Sequence, residues 1–210
     1  MSPRGAQAVR GQSDPATALR AHLLDTTALL LAEQVPAALT TRVIARRAGV
    51  SDGVLYNYFA DKDDLVLRAM VRRFAALLER YLASLPEPGS ATLEANLLEI
   101  ARAALELHLE SLPILAGLAS DAGLVARFAH EIHREHVGAA EITAAVARYL
   151  AAEQELGRIV DVDTESAADL LVGAVALRAF TTSLGASRRD VTASLPEVVG
   201  ALLRGLERRA

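Results

Sequence analysis

Two stretches of this sequence set reactive or hydrogen-bonding side chains close enough together to do chemistry. The first is "HEIHREH", residues 130–136, in which His130, His133 and His136 step by three with Glu131 and Glu135 between them. On neighbouring turns of a helix such a set could share a metal ion, although the zinc-protease spacing differs, with two His four apart and a Glu beside the first. On a continuous helix, Leu124, Phe128, Ile132, Ala139 and Val146 define the apolar side, His136 flanks it and His130 points almost opposite. The stripe therefore sweeps from core edge to surface, and a solvated or interfacial row without metal is expected. A metal-dependent enzyme built on His130, His133 and His136 is the alternative. No nucleophile, phosphate loop or spaced carboxylate pair accompanies the stripe, so no catalytic residue is assigned. Cysteine is absent, which removes thiolate zinc sites, disulfides and cysteine nucleophiles.

The second stretch is "TTRVIARRAGVSDGVLYNYFADKDDL", residues 40–65, which holds the only lysine, Lys62, of a chain with 21 arginines. Two short helical segments, 41–48 and 52–58, flank "GVS", the pattern of a helix-turn-helix. Ala45 is small where the helices cross, Gly49 permits the turn, and Ile44, Val50 and Leu55 can lock the pair onto a preceding helix. The second segment then presents Asp52, Gly53, Tyr56 and Asn57, and a helix of that width fits the major groove of DNA. Tyr56 can meet a thymine methyl or a phosphate, and Asn57 can donate and accept at a base edge. Gly53 and Val54 allow close approach of the backbone, and Arg42 can reach guanine or phosphate. The plainer reading is packing for Tyr56, Tyr58 and Phe59 and solvated charge for Arg46 and Arg47.

Helices must position these residues. Asp14 and Pro15 start the first, with Leu19, Leu23, Leu24, Leu30 and Leu31 on one broad face and an end near Val35-Pro36. Thr40, Ser51 and Asp61 can cap the next three, the last running to about 84, where "SLPEPGS" stops it. Further helices fit about 90–110, 113–119, 121–154, 164–184 and 190–208, with Pro113 expected to break or kink the chain. No strand pattern competes. The reading is all-α with about nine helices: a flexible arm over 1–14, a three-helix helix-turn-helix domain over 15–61, and a helical body over 62–210.

Composition agrees. Hydrophobic residues make up 52% of the 210 but aromatics only 4%, so the core must be mainly aliphatic, and a chain this long buries about 70% of its unfolded surface. The net charge of -4 is unevenly spread: residues 1–80 carry 11 Lys+Arg against 8 Asp+Glu, and residues 81–210 carry 11 against 18. A basic module on an acidic body fits phosphate binding. No apolar run reaches signal-peptide or membrane-span length, and a cytoplasmic protein with no membrane partner is expected.

"LTTRVIARRAGVSDGVLYNYFADKDDL" resembles the DNA-binding domain of the TetR family of bacterial transcription regulators. The pattern is Thr, then Ile-Ala, Ala-Gly-Val-Ser, Leu-Tyr, an aromatic pair, and a Lys opening the fourth helix. The likeness covers residues 15–67 and returns weakly in "GRIVDVDTESAADLLVGAV". It implies phosphate contacts by Thr41, Tyr58 and Lys62, and base-facing positions for Arg42, Gly53, Val54, Tyr56 and Asn57. Asp61 would cap, and Asp63 and Asp64 would face solvent. Two departures stand out, Val35-Pro36 where the family turns on Gly, and Asp52, which could cap the recognition helix or accept from a cytosine amine; Tyr58 stands where His or Tyr is usual, which leaves phosphate hydrogen bonding open.

For the body, the resemblance implies an effector-binding and dimerisation domain, hence a repressor that binds a palindromic double-stranded DNA operator as a homodimer and leaves it when a small, largely apolar molecule binds. No cofactor is implied. The last two helices would pair with a second copy through Leu170, Leu171, Val175, Leu177, Leu184, Leu195, Val198, Val199, Leu202, Leu203 and Leu206, unless these residues close only the monomer's own core. Candidate pocket residues are His108, Leu112, Leu115, Leu118, Phe128, Ile132 and Tyr149. A helical interaction protein without DNA-binding activity is the remaining alternative, and Asp52 and the aspartates around Lys62 are its best support.

Overall fold

Free amides at helix starts fix where this chain turns. In a computed structural model, which describes residues 14–33, 39–118, 122–186 and 190–206, Thr40 Oγ1 accepts the Val43 amide at 3.2 Å, Asp61 Oδ1 that of Asp64 at 2.7 Å, and Asp163 Oδ1 those of Glu165 and Ser166. Nine helices result among the described residues: α1 Pro15–Glu33, α2 Thr41–Ala48, α3 Asp52–Leu55, α4 Lys62–Ala83, α5 Leu93–Leu118, α6 Ala122–Arg134, α7 Ala139–Glu155, α8 Thr164–Ser183 and α9 Leu195–Leu206. No strand is found among them. The expected arm before Asp14, the turn at Val35-Pro36 and the helix end at 207–208 lie outside the described residues.

Three body helices differ from expectation, the last starting at Leu195 and not near 190. The segments 90–110 and 113–119 are one helix, α5, running through Pro113. Proline lacks the amide that would bond back one turn and costs about 3 kcal/mol in a helix interior. Leu105, Leu107 and Leu118, buried on α5 to either side of it, are worth about 1.5–3 kcal/mol each, so packing outweighs the local penalty. Conversely, 121–154 is two helices. The chain leaves α6 after Arg134 with His136 at φ 53°, its amide bonding to the His133 carbonyl and that of Val137 to Ile132. That is a left-handed helix end of the kind usually made by glycine, and Gly138 then opens α7.

Helix α5 runs through the centre of the body, packed mainly against α8 and also against α9 and α4, with α7 on α8 and α6 on α4. Leu97, Ile100, Leu107, Ile142, Leu150 and Val175 are among its buried residues, and Phe74 of α4 meets Phe128 of α6 edge to face at 6.4 Å. At the end of the body, buried Glu153 accepts the Gly89 amide and the Tyr149 hydroxyl and lies 3.2 Å from Arg158. Burial, and then that hydrogen bond, push the Tyr149 phenol well above its ordinary range. It therefore stays a donor.

Candidate nucleic-acid interface

The inner sides of α1, α2 and α3 form a small aliphatic core. Leu23, Leu24, Leu30 and Leu31 of α1 are buried with Ile44, Ala45 and Ala48 of α2, Leu55 of α3 and Phe59. Gly49 ends α2 at φ 72°, as the tight turn requires. Polar ties hold the unit from outside. His22 Nε2 lies 3.1 Å from the Ala48 carbonyl, Arg47 reaches Glu33 at 3.1 Å, and the Arg20 guanidinium sits 5.3 Å from the centre of the Phe59 ring.

What remains outside is the predicted set. Arg42, Asp52, Gly53, Tyr56 and Asn57 are exposed, and Thr41, Val54, Tyr58 and Lys62 are half-buried beside them. Tyr56 is 59% exposed, which separates it from the packing aromatic Phe59. Two details differ from expectation. The α-helical turn covers only Asp52–Leu55, and residues 56–58 continue as a tighter turn with the amides of Asn57 and Tyr58 bonded to the Val54 and Leu55 carbonyls. Ser51 caps with its backbone, its carbonyl taking the Val54 amide, and not with its hydroxyl.

The aspartates around Lys62 divide their work. Asp61 caps α4. Asp63 Oδ1 lies 3.4 Å from Lys62 Nζ. Asp64 is largely enclosed: its Oδ2 accepts the Ala60 amide at 3.2 Å and its Oδ1 the Arg68 Nε–H at 2.7 Å. Sequence reading left Arg68 and His22 out. The i,i+4 spacing of Asp64 and Arg68 was a readable signal; the long-range contact of His22 had none.

The end of α6 divides the histidine stripe, although the His133 and His136 rings stay 6.5 Å apart. His130 and His133 lie on α6 but His136 lies beyond it, 82% exposed at its side chain and 3.8 Å from Glu141. Among the described residues no three His, Asp or Glu groups are placed to hold a metal. Of the pocket candidates, Leu118, Phe128 and Tyr149 are buried, His108, Leu112 and Ile132 half-buried, and Leu115 exposed. His108 Nε2 is buried with no hydrogen-bond partner, and burial pulls the imidazole pKa below its ordinary value. On α8 and α9, Leu171, Val175, Leu195, Val199, Leu203 and Leu206 are buried within the monomer. Leu170, Leu177 and Leu184 are exposed, and Val198 and Leu202 half-buried. Sequence reading missed Phe180, also exposed on α8. No helix among the described residues is long and apolar enough to cross a membrane.

A buried three-helix unit that turns polar and small residues outward on a short element, set on a larger helical body, has the architecture of a helix-turn-helix head. Residues 23–69 match the family described as "Bacterial regulatory proteins, tetR family". The fold of the whole chain is similar to that of several solved structures. A TetR-family transcriptional regulator from Mesorhizobium loti is similar with TM-score 0.76 at 17% identity, covering 93% of this chain and 100% of that one. A TetR transcription regulator from Haloarcula marismortui gives 0.70 at 15% identity, over 91% and 99%. FadR from Bacillus subtilis, in complex with stearoyl-CoA, gives 0.61 at 20% identity, over 88% and 98%. No curated protein sequence matches it.

Proposed function

We propose that the chain is a dimeric repressor that binds a palindromic operator and is released by a small-molecule effector. The observation that carries the DNA-binding part is the sorting of the helix-turn-helix: Leu55 and Phe59 inside, with Asp52, Gly53, Tyr56 and Asn57 outside on one short element. In this reading Thr41, Tyr58 and Lys62 hold phosphates, while Arg42, Gly53, Val54, Tyr56 and Asn57 meet bases and Asp52 faces a cytosine amine. The head is residues 15–61 and the body 62–210. One recognition element reads few bases, so a two-fold dimer reading a palindrome follows. The exposed Leu170, Leu177, Phe180 and Leu184, the first of them lining a groove of about 340 Å³ with Val198 and Leu202, support pairing of α8 and α9 with a second copy, since exposed large apolar side chains mark interaction surfaces when they form a patch. For the effector, the unpartnered Nε2 of His108 supports a largely apolar ligand bearing one polar group, in a neighbourhood drawn from Leu112, Leu115, Leu118, Phe128, Ile132 and Tyr149. The structural relative that holds stearoyl-CoA is consistent with an effector of that character.

The test is fluorescence anisotropy against duplexes tiling the DNA upstream of the chain's own gene, at several salt concentrations. Lys62→Ala should weaken binding to every duplex and reduce the salt slope by about one. Arg42→Ala should also blunt discrimination, by about 1–3 kcal/mol if it reads a base. If no tile binds and selection from random duplexes also fails, the DNA-binding reading is wrong.

A further inference from the structure

The corner between the recognition turn and α4 is held by one carboxylate, and that carboxylate by one arginine. Asp64 takes the Ala60 amide on Oδ2 and the Arg68 Nε–H on Oδ1, while its own amide goes to Asp61. These bonds fix residues 60–62, between the Tyr58 and Lys62 side chains that are read as phosphate contacts. Asp64 is only 14% exposed at its side chain, so its pairing is less screened than that of an open surface ion pair.

Arg68 has a second neighbourhood. A crevice of about 260 Å³ between α1, α4 and α6 is lined by Arg20 of α1, Arg68 and Arg72 of α4, Glu131 and Arg134 of α6, and Glu135 just past its end. The two glutamates share one guanidinium, Arg134 reaching Glu131 at 2.6 Å and Glu135 at 2.7 Å. Arg72 is already held by Asp25 through two bonds. Arg68 makes one bond through Nε to Asp64, and a guanidinium carries five N–H donors. Arg20 of the same crevice lies over the Phe59 ring; Arg68 keeps donors to spare beside a group in which two glutamates face one arginine, Arg134.

We propose that Arg68 is the positioning residue of the DNA interface, holding the 60–62 corner through Asp64, and that Glu131 and Glu135, at the end of α6, compete with Asp64 for it. The body then acts on the head by drawing one guanidinium from one carboxylate to others. This rests on the DNA-binding reading, so one arm of the test does not use DNA.

Amide hydrogen exchange at Ala60 and Asp64 is measured by NMR in the full-length parent, Arg68→Gln, Arg68→Lys and the Glu131→Gln/Glu135→Gln double variant, beside operator affinity for each. Arg68→Gln should speed exchange at both amides several-fold and lower DNA affinity by about fivefold, with the fold otherwise intact. Arg68→Lys should restore part of both. The double variant should slow exchange at Ala60 and raise affinity. Unchanged corner amides in Arg68→Gln or in the double variant would overturn the proposal, as would parental affinity in Arg68→Gln. If the parent binds no DNA, the function falls with the phosphate-contact role, and the exchange arm alone decides whether Arg68 holds the corner.

Discussion

The ammonium of Lys62 lies 3.4 Å from the Asp63 carboxylate, so the lysine assigned to a DNA phosphate is already paired within the chain. Binding exchanges one anion for another. The carboxylate is half-exposed, and such a surface pair is worth about 0–1 kcal/mol. Asp63→Asn should therefore raise affinity for all DNA sequences by up to about fivefold, most at low salt, without altering preference among operators. Titration of one operator and one unrelated duplex checks it, and equal or weaker binding by the variant would sink the competition.

Gly53 has no structural need to be glycine. It lies in α3, its φ is not in the left-handed range, and a Cβ built there meets no atom within 4 Å. Alanine is preferred over glycine in a helix by about 0.5–1 kcal/mol. Gly53→Ala should accordingly stabilise the free protein by a part of that amount while weakening operator binding by about tenfold, because the added methyl fills space the DNA backbone or a base edge would take. Urea midpoints and anisotropy measured together decide it: a variant that gained stability and kept its affinity would remove Gly53 from the interface.

How much was legible follows from the range of the interactions. Thr40, Gly49 and Asp61 act within four residues, and each does what its type and position dictate. The exposed face of Asp52, Gly53, Tyr56 and Asn57 was legible for the same reason. Pro113 and His136 misled because local rules were overruled, the first by buried leucines on both sides and the second by an αL helix end without glycine. The leucines of α8 and α9 show the other limit. Both sides of these helices are apolar, and the spacing does not say that Leu171 and Val175 pack inward while Leu170 and Leu177 are left outside.

That division yields a prediction. Leu177 is 61% exposed, so charge there costs the monomer little, whereas an unpaired charge buried between two copies costs several kcal/mol. Leu177→Glu should shift the protein from dimer to monomer in sedimentation velocity while its thermal midpoint falls only as far as loss of the dimer requires. An unchanged sedimentation coefficient would take Leu177 out of the interface.

His136 holds a left-handed conformation with an L side chain, 82% exposed and 3.8 Å from Glu141. That conformation costs about 1 kcal/mol for residues other than glycine. His136→Gly should stabilise the chain by up to that amount, and a stripe that bound metal would instead lose stability with it. Thermal unfolding of the variant, with and without added zinc, separates the two: destabilisation together with loss of a zinc-dependent rise would revive the metal reading.

His108 gives the chain a pH dependence whose sign is fixed. Burial holds its folded pKa below the ordinary 6.5, so between the two values the unfolded chain binds a proton that the folded chain refuses. Stability is unaffected above the unfolded value and declines as pH falls through about 6.5. His108→Leu removes that proton and also a buried nitrogen with no partner, worth about 1–3 kcal/mol when left unsatisfied. The variant should be at least as stable as the parent near neutral pH and should lose less stability on acidification, as read from urea midpoints at about pH 7.5 and 5.5. Parallel losses in the two proteins would show that the proton is taken up elsewhere, and a less stable variant at neutral pH would mean that the imidazole nitrogen is satisfied by a bound water.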